Sequence, residues 1–433
     1  MLHTPHPIQV HANRDSTFGI GRSKLAVMAL TFFMLAGEAS GDLHAAKLIQ
    51  AIRARDATAR FAGMGGKAMA AAGLEVAKDL EGMQVVGFWE VARNYNFFVR
   101  TGDLLLDRLK QERPDALICV DYPGFNLRFA AKVKKLGIPV LYYIVPQVWA
   151  WKPLRAKKMA AIVDHAYCIF DFEPPFLERW GLKTTFIGHP LIDREAPPRP
   201  QLSNGRKTVA LLPGSRLNEI NEHVRPMCEG FNIAQQKIGN LRALLSQVTI
   251  PFAVTPCVEV VNDRLRSYAA IRTWSDNARI SSRILIAPAT EIDSNAFNGK
   301  EQLESEHAAL LPSAADFSVV KSGTSTLEAG LAGNPMCVLY RVSWMNYMIA
   351  RQLVNIPVFS LVNIVLGRYA VPELLQGDVN PARIAHEIER GLTDRNYREQ
   401  QMAALAELPK KLGGPGASAR AAEHMLKFLK GRV

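Results

Sequence analysis

Short apolar runs alternate with stretches of helical period along most of this chain. Residues 25–35 form the first run and lead through a glycine-rich loop into a helical pattern beginning near Asp42. Residues 116–120 are a second run, flanked by helical periodicity at about 100–112 and 127–136. Runs at 140–144, 166–170 and 184–187 continue the series. Unbroken apolar runs fit strands covered on both faces, and strand–helix alternation predicts a parallel sheet. The pattern stops at Glu195-Ala196-Pro197-Pro198-Arg199-Pro200, followed by Ser203-Asn204-Gly205, where proline density marks a linker. It restarts with strands at 209–212, 317–320 and 336–340, and the end of the chain reads as Ala- and Leu-rich helices. No short internal repeat interrupts this order. The expectation is an α/β protein with two Rossmann-like, doubly wound parallel-sheet domains facing across a cleft, with ligands bound beyond the carboxyl ends of the strands. The expected division is a disordered leader over 1–23, a first domain over 24–194, a linker over 195–206, a second domain over 207–375, and helices over 376–433 packing back toward the first domain.

Length and composition agree. A chain of 433 residues suits two cores of roughly 200 residues each. With 48% hydrophobic and 21% charged residues it has the balance of a globular enzyme. Lysine and arginine outnumber acids by 52 to 40, a net charge of +12. No basic cluster alternates with exposed aromatics, so nucleic acid is not the expected partner. The dispersed surplus suits anionic membrane or phosphorylated ligands. Cys119, Cys168, Cys228, Cys257 and Cys337 are odd in number and none pair at C-x-x-C spacing. That argues against a disulfide framework or zinc site and for a reducing compartment. No apolar run reaches the roughly 18 residues needed to span a bilayer. Arg22 and Lys24 ahead of 25–36 imitate a secretory signal. Cleavage there would cut into the following glycine loop, so a first buried strand is expected instead; Met28 is a second candidate start.

The strand ends carry the candidate chemistry. In Gly37-Glu38-Ala39-Ser40-Gly41-Asp42, glycines allow close backbone approach and the helix start offers N–H groups to an anion. A plain tight turn, with Ser40 as cap and Asp42 on the helix dipole, explains the same residues. Asp121 ends an apolar strand in Asp121-Tyr122-Pro123-Gly124-Phe125-Asn126, where a carboxylate can take a proton from a sugar hydroxyl, or can merely cap the turn. Trp149 and Trp151, in Val145-Pro146-Gln147-Val148-Trp149-Ala150-Trp151-Lys152, form an apolar wall or lie in the core under a loop. Pro213-Gly214-Ser215-Arg216 exposes backbone N–H groups, and Arg216 adds a fork suited to phosphate. Ser322-Gly323-Thr324-Ser325-Thr326-Leu327-Glu328 is a second turn of this kind. There Ser325 and Glu328 form a capping box, or Glu328 accepts hydrogen bonds from ribose hydroxyls. No D-x-D pair and no G-x-x-x-x-G-K-[ST] occurs, so neither a metal-bridged diphosphate nor a P-loop is expected. Helix N-termini and Arg216 would then stabilise a leaving diphosphate. His189 reads as a hinge or structural residue, and His44 as exposed.

Seven of these segments together resemble one family. They are Gly37–Asp42, Asp121–Asn126, Val148-Trp149-Ala150-Trp151, Gly188-His189-Pro190-Leu191, Leu212-Pro213-Gly214-Ser215-Arg216, Ser322-Gly323-Thr324 with Thr326-Leu327-Glu328, and Val371-Pro372-Glu373-Leu374-Leu375-Gln376. In order, over about 25 to 430, they look like lipid A disaccharide synthase. The resemblance implies a GT-B glycosyltransferase that condenses UDP-2,3-diacylglucosamine with 2,3-diacylglucosamine 1-phosphate. It releases UDP and forms a β-1,6-linked disaccharide with anomeric inversion and no cofactor. It places the catalytic base on Asp121 and donor binding on Gly214, Ser215, Arg216, Ser322, Gly323, Thr324, Glu328 and Asn363. Substrate contacts fall on Glu38, Ser40, Asp42, Asn126 and Trp149. It also implies peripheral contact with the cytoplasmic face of the inner membrane and a homodimer. Apolar segments near Phe88-Trp89, Phe97-Phe98 or 344–348 are candidates for dipping into the interface, or are ordinary core.

The chain departs from the family in places. Gly124 stands where many members carry a second aspartate, so Asp121 must work alone. Val145 and Gln147 replace serines, and 255–310 shows no match, leaving donor contacts there unassigned. Rival readings are another GT-B enzyme acting on UDP-N-acetylglucosamine, as transferase or epimerase, and a catalytically silent lipid- or nucleotide-binding scaffold.

Overall fold

The computed structural model describes residues 29–80, 83, 95–151, 154–193, 207–214, 217–245, 284–285, 311–342 and 358–431. The expected leader and linker lie outside the described residues. The first half runs β1 (Thr31–Ala36), α1 (Ala39–Arg53), β2 (Arg60–Met64), α2 (Lys67–Ala72), β3 (Glu75–Lys78), α3 (Tyr95–Glu112), β4 (Ala116–Val120) and α4 (Pro123–Lys134). It continues with β5 (Val140–Tyr143), α5 (Val148–Trp151), α6 (Leu154–Ile162), β6 (His165–Cys168), α7 (Glu173–Glu178) and β7 (Thr184–Phe186). The second half runs β8 (Lys207–Leu212), α8 (Leu217–Ile238), β9 (Leu241–Leu245), β10 (Ile284–Leu285), β11 (Phe317–Lys321), α9 (Thr324–Leu331), β12 (Met336–Tyr340), α10 (Leu361–Leu366) and β13 (Glu373–Leu375). It closes with α11 (Pro381–Thr393), α12 (Arg395–Leu405), α13 (Leu408–Lys411) and α14 (Ala417–Lys430).

These strands build two parallel sheets, ordered β3-β2-β1-β4-β5-β6-β7 and β10-β9-β8-β11-β12-β13. Each winds outward in one direction, then restarts on the other side. The reversal falls between β1 and β4 in the first sheet and between β8 and β11 in the second. The apolar runs explain the layering, because successive side chains leave a strand on opposite faces. Phe33, Leu35, Leu117 and Cys119 point to the layer holding Leu105, Leu109 and Phe129 of α3 and α4. Phe32, Met34, Ile118 and Val120 point to the opposite layer, with Leu48, Ile49 and Ile52 of α1. In the second half Val209, Leu211, Val319 and Leu339 meet Met227 and Phe231 of α8 and Ile384 and Ile388 of α11.

The chain crosses back at its end. Met425, Leu426 and Leu429 of α14 join the core layer of α1. Tyr143 and Ser418 hydroxyls lie 3.1 Å apart, and the Tyr167 hydroxyl lies 3.1 Å from His424 Nδ1. Arg420 Nε donates to the Ile187 carbonyl at 2.8 Å, and the His189 N–H donates to the Leu412 carbonyl at 2.8 Å. Helices 376–433 thus divide: α12 and α13 cover the second sheet, whereas α14 covers the first.

The helix starts differ from expectation. α1 begins at Ala39, so Ser40 lies inside it and Glu38 is the N-cap residue, without a side-chain cap bond. α3 begins at Tyr95 rather than near 100. β2, β3, β9, β10 and β13 were not among the expected strands. Cys119, Cys168, Cys228 and Cys337 are all buried free thiols. Among the described residues, no helix is long and apolar enough to cross a membrane.

Candidate active site

Both topological switch points end in the loops singled out from the sequence. Beyond β1 lies Gly37–Asp42 and beyond β4 lies Asp121; beyond β8 lies Pro213-Gly214 and beyond β11 lies Ser322-Gly323. Adjacent strands whose connections leave in opposite directions open a crevice at their carboxyl ends. A cleft of about 510 Å³ occupies this place. Its first-half wall comprises Ser40, Gly41 and His44 of α1, Asp121 and Pro123 after β4, and Ile144–Val148 after β5. Arg155, Ile169, Phe170, His189 and Pro190 complete that wall, and Thr324 and Leu361 of the second half face it. His44 is therefore a half-buried cleft residue rather than an exposed one.

Asp121 is held by its backbone. Asp121 and Tyr122 have φ of 42° and 45°, and Ile144, at the end of the neighbouring strand, has φ of 61°. Left-handed conformations are costly for such residues and concentrate at functional sites. The surroundings enforce them. The Asp121 carbonyl accepts from Asn126 Nδ2 at 2.8 Å and from the Tyr142 hydroxyl at 2.6 Å. Asn126 Nδ2 also donates to the Val120 and Leu35 carbonyls at 3.1 and 3.4 Å. The Tyr122 hydroxyl donates to the Met83 carbonyl at 2.7 Å. Its ring fills the place of a side chain at Gly37, so any Cβ there would collide with it. Gly124 is unlike this: nothing lies within 4 Å of where its Cβ would stand, so the second aspartate that the resemblance implies would meet no obstacle at its Cβ.

Several expected ligand contacts are committed to the protein itself. The Asp42 carboxylate accepts from the Gly66, Ala68 and Met69 N–H groups at 2.8–3.0 Å and caps α2, not its own helix. Asn126 is fully buried in the strand-end clamp. Asn363, also fully buried, donates to the Val371 carbonyl and Glu373 and accepts from the Ala370 and Val371 N–H groups. Glu373 in turn accepts from the Phe359 and Ser360 N–H groups at 2.9 Å, ordering the start of α10. Trp149 is half-buried: its indole N–H donates to Glu173 at 3.1 Å and its ring meets Phe172 edge-on at 4.9 Å. The cleft wall of that segment is made instead by Pro146, Gln147 and Val148.

On the second half, Gly214 has φ of 114°, and a Cβ there would meet the Glu219 carboxylate. Glu219 accepts from Lys321 Nζ at 2.7 Å at the end of β11. His223 Nε2 accepts from the Arg341 N–H at 3.0 Å, so Nδ1 carries the proton and donates to the Glu219 carbonyl at 2.7 Å. Burial lowers the pKa of this imidazole. Ser322 donates to the Phe359 carbonyl at 3.1 Å. The N-cap residue of α9 is Gly323, so Ser325 lies within the helix and the capping-box reading of Ser325 and Glu328 falls. Glu328 is half-buried one turn into α9. Ser215 and Arg216 lie outside the described residues. Among the described residues, no cluster of three or more histidine, cysteine, aspartate or glutamate side chains is placed to hold a metal ion.

Arg155 and the Glu373 network escaped the sequence reading. Arg155 sits in a basic helix with Lys157 and Lys158, which reads as a solvated face. The partners of Glu373 are brought to it by the turn after α10, and no local spacing reveals them.

Two parallel sheets meeting at their carboxyl ends, with strand-end glycine loops on both sides, define a GT-B glycosyltransferase architecture. Solved structures share it. The glycosyltransferase of kitacinnamycin matches with a TM-score of 0.59 at 16% identity, covering 93% of this chain and 99% of that one. A putative UDP-N-acetylglucosamine 2-epimerase from Listeria monocytogenes matches with a TM-score of 0.60 at 13% identity, covering 93% and 97%. The family model described as lipid-A-disaccharide synthetase matches residues 32–260 and 283–425, and the chain belongs to that family. The matched spans take in most of 255–310, where the sequence reading found no likeness. A lipid-A-disaccharide synthase of Anaeromyxobacter dehalogenans is 40% identical over 407 residues, covering 92% of this chain and 97% of the relative. One of Myxococcus xanthus is 37% identical over 409 residues, covering 92% and 98%.

Proposed function

We propose that this glycosyltransferase moves 2,3-diacylglucosamine from UDP-2,3-diacylglucosamine onto 2,3-diacylglucosamine 1-phosphate. The product is a β-1,6-linked disaccharide 1-phosphate, a step of lipid A and lipopolysaccharide biosynthesis. The observation that carries the reading is Asp121, strained at a strand end on one wall of a cleft whose other wall holds Thr324. The acceptor hydroxyl gives its proton to Asp121 as its oxygen bonds to the anomeric carbon, and the bond to UDP breaks on the opposite side. Gly214, Ser215 and Arg216, with Ser322–Thr324, receive the diphosphate, and Glu328 receives the ribose. Glu38 and Ser40 border the acceptor. Asp42, Asn126, Trp149 and Asn363 act by holding the loops that touch substrate. The first half, 24–194, takes the acceptor, and the second, 207–375, takes the donor. The enzyme works as a homodimer at the cytoplasmic face of the inner membrane, where its acylated substrates reside.

The test is a detergent-micelle assay with both natural substrates. Wild type yields disaccharide and UDP. Asp121→Ala lowers kcat by about 10²–10⁴-fold, the range for loss of a general base, while UDP still binds. Undiminished turnover in that variant would remove Asp121 as the base. Turnover of UDP-N-acetylglucosamine alone, with no transfer to the acylated acceptor, would point to an epimerase of the same fold.

A further inference from the structure

The first-half wall of the cleft carries a permanent cation that the proposed transfer leaves unused. Arg155, at the second position of α6, is half-buried and lines the cleft together with Asp121, Gln147 and Ser40. Other arginines have carboxylate partners, such as Arg225 with Glu229 and Arg368 with Glu407. Among the described residues Arg155 makes no such pair. A guanidinium that gives up part of its hydration without a carboxylate partner is costly to hold, and an arriving anion relieves that cost. Tyr142, whose hydroxyl donates to the Asp121 carbonyl, links Asp121 to the same wall. Burial above all raises the pKa of Tyr142, and the Arg155 guanidinium is close enough to this phenol to pull it back down. Among the described residues that line the cleft Asp121 is the one carboxylate, so without Arg155 this wall would repel an anionic acceptor.

We propose that Arg155 anchors the phosphate monoester of the acceptor sugar on the first-half wall of the cleft. The planar fork of an arginine matches two phosphate oxygens at once, which a lysine cannot do. Ser40 and Gly41, in the first turn of α1, border the same wall and add a potential of the same sign. The inference rests on the transferase reading and sharpens it. Donor and acceptor carry the same acylated sugar and differ at the anomeric oxygen, one bearing UDP and the other a phosphate monoester. A cation on the acceptor wall tells them apart and disfavours entry of a phosphate-free sugar.

The experiment uses the full-length enzyme with UDP-2,3-diacylglucosamine and two acceptors, 2,3-diacylglucosamine 1-phosphate and its dephosphorylated form. The readout is the ratio of kcat/KM for the two acceptors. In wild type this ratio strongly favours the phosphorylated acceptor. Arg155→Gln is expected to lower the ratio about 10- to 100-fold, the range for loss of hydrogen bonds to a charged group. Arg155→Lys, which keeps charge without the fork, is expected to recover part of it. A ratio in Arg155→Gln equal to wild type overturns the proposal, as does an equal loss toward both acceptors. Wild type that transfers to neither acceptor overturns the transferase reading and this inference with it. Wild type that transfers to both acceptors equally leaves the transferase reading standing and overturns the role of Arg155 alone.

Discussion

Glu173 is the most deeply buried carboxyl group near the cleft. It is fully buried, and it accepts from the Ile169 and Phe170 N–H groups at 2.9 and 3.1 Å as well as from Trp149. Burial pushes its pKa up to about 7, and the three donors pull back against that rise. The folded state therefore keeps a proton that the unfolded chain releases near the ordinary glutamate value of about 4.3. The stability this contributes is fully present below that value and is lost as pH rises through about 7. Glu173→Gln removes the titration. Wild type should lose thermal stability between pH 5 and pH 8 relative to this variant, read as the difference in Tm; parallel Tm profiles would sink the assignment. Gln also keeps one acceptor oxygen for the two backbone donors while turning an NH₂ toward the indole of Trp149. Asp42 teaches a related lesson at this scale. Its place near a helix start was legible in the sequence, but the α2 N–H groups it satisfies are more than twenty residues away. Asp121 was legible because a charged residue closing an apolar run has few places to be in a parallel sheet. The left-handed backbone that presents it was not, since Asn126, Tyr122 and Tyr142 enforce it from three elements.

Elements with unbroken apolar runs were plain in the sequence, with β4 and β12 at the expected residues. β2 reads Arg-Phe-Ala-Gly-Met and β9 reads Leu-Arg-Ala-Leu-Leu, compositions that favour neither strand period nor β-branching. Pairing with β1 and β8 makes them strands, and tertiary context is what local pattern lacks. The docking of α14 likewise has no local signal on β6, where it is read by side chains. His165 lies with its ring 4.4 Å from His424 and 5.7 Å from Phe428, and its Nε2 is 2.8 Å from the Thr185 hydroxyl. Burial, then His424, then Lys183 lower the His165 pKa to about 4. Burial and Lys427 lower that of His424 as well. A depressed histidine stays neutral in the fold while the unfolded chain takes up a proton. Its stabilisation is thus present above about pH 6.5 and lost as pH falls toward about 4. Acidification from pH 7 to pH 5 should lower Tm, and His165→Phe should shrink that decrease. A decrease of the same size in the variant would place the acid sensitivity elsewhere.

At the scale of the whole molecule, the two halves are joined twice. The chain leaves the first sheet after β7 and returns to it as α14, passing beside Gly188 and His189 on the way. α14 places Met425, Leu426 and Leu429 against α1. At about 1.5–3 kcal/mol for each large apolar side chain, that contact is worth on the order of 5–9 kcal/mol, comparable to the stability of an ordinary domain. A chain ending at Gly414 should therefore lose its cooperative thermal transition and become sensitive to protease; a sharp transition at the wild-type temperature would show that the first half closes without the helix. The dependence has a further meaning during translation. Domains usually fold in the order in which the ribosome releases them. Here part of the layer that α1 shares with the first sheet waits, uncovered, for residues 417–430. An interrupted message yields a polypeptide with that part bare for chaperones and proteases to recognise. Release of residues 417–430 from the ribosome and concealment of this part of the core are the same event.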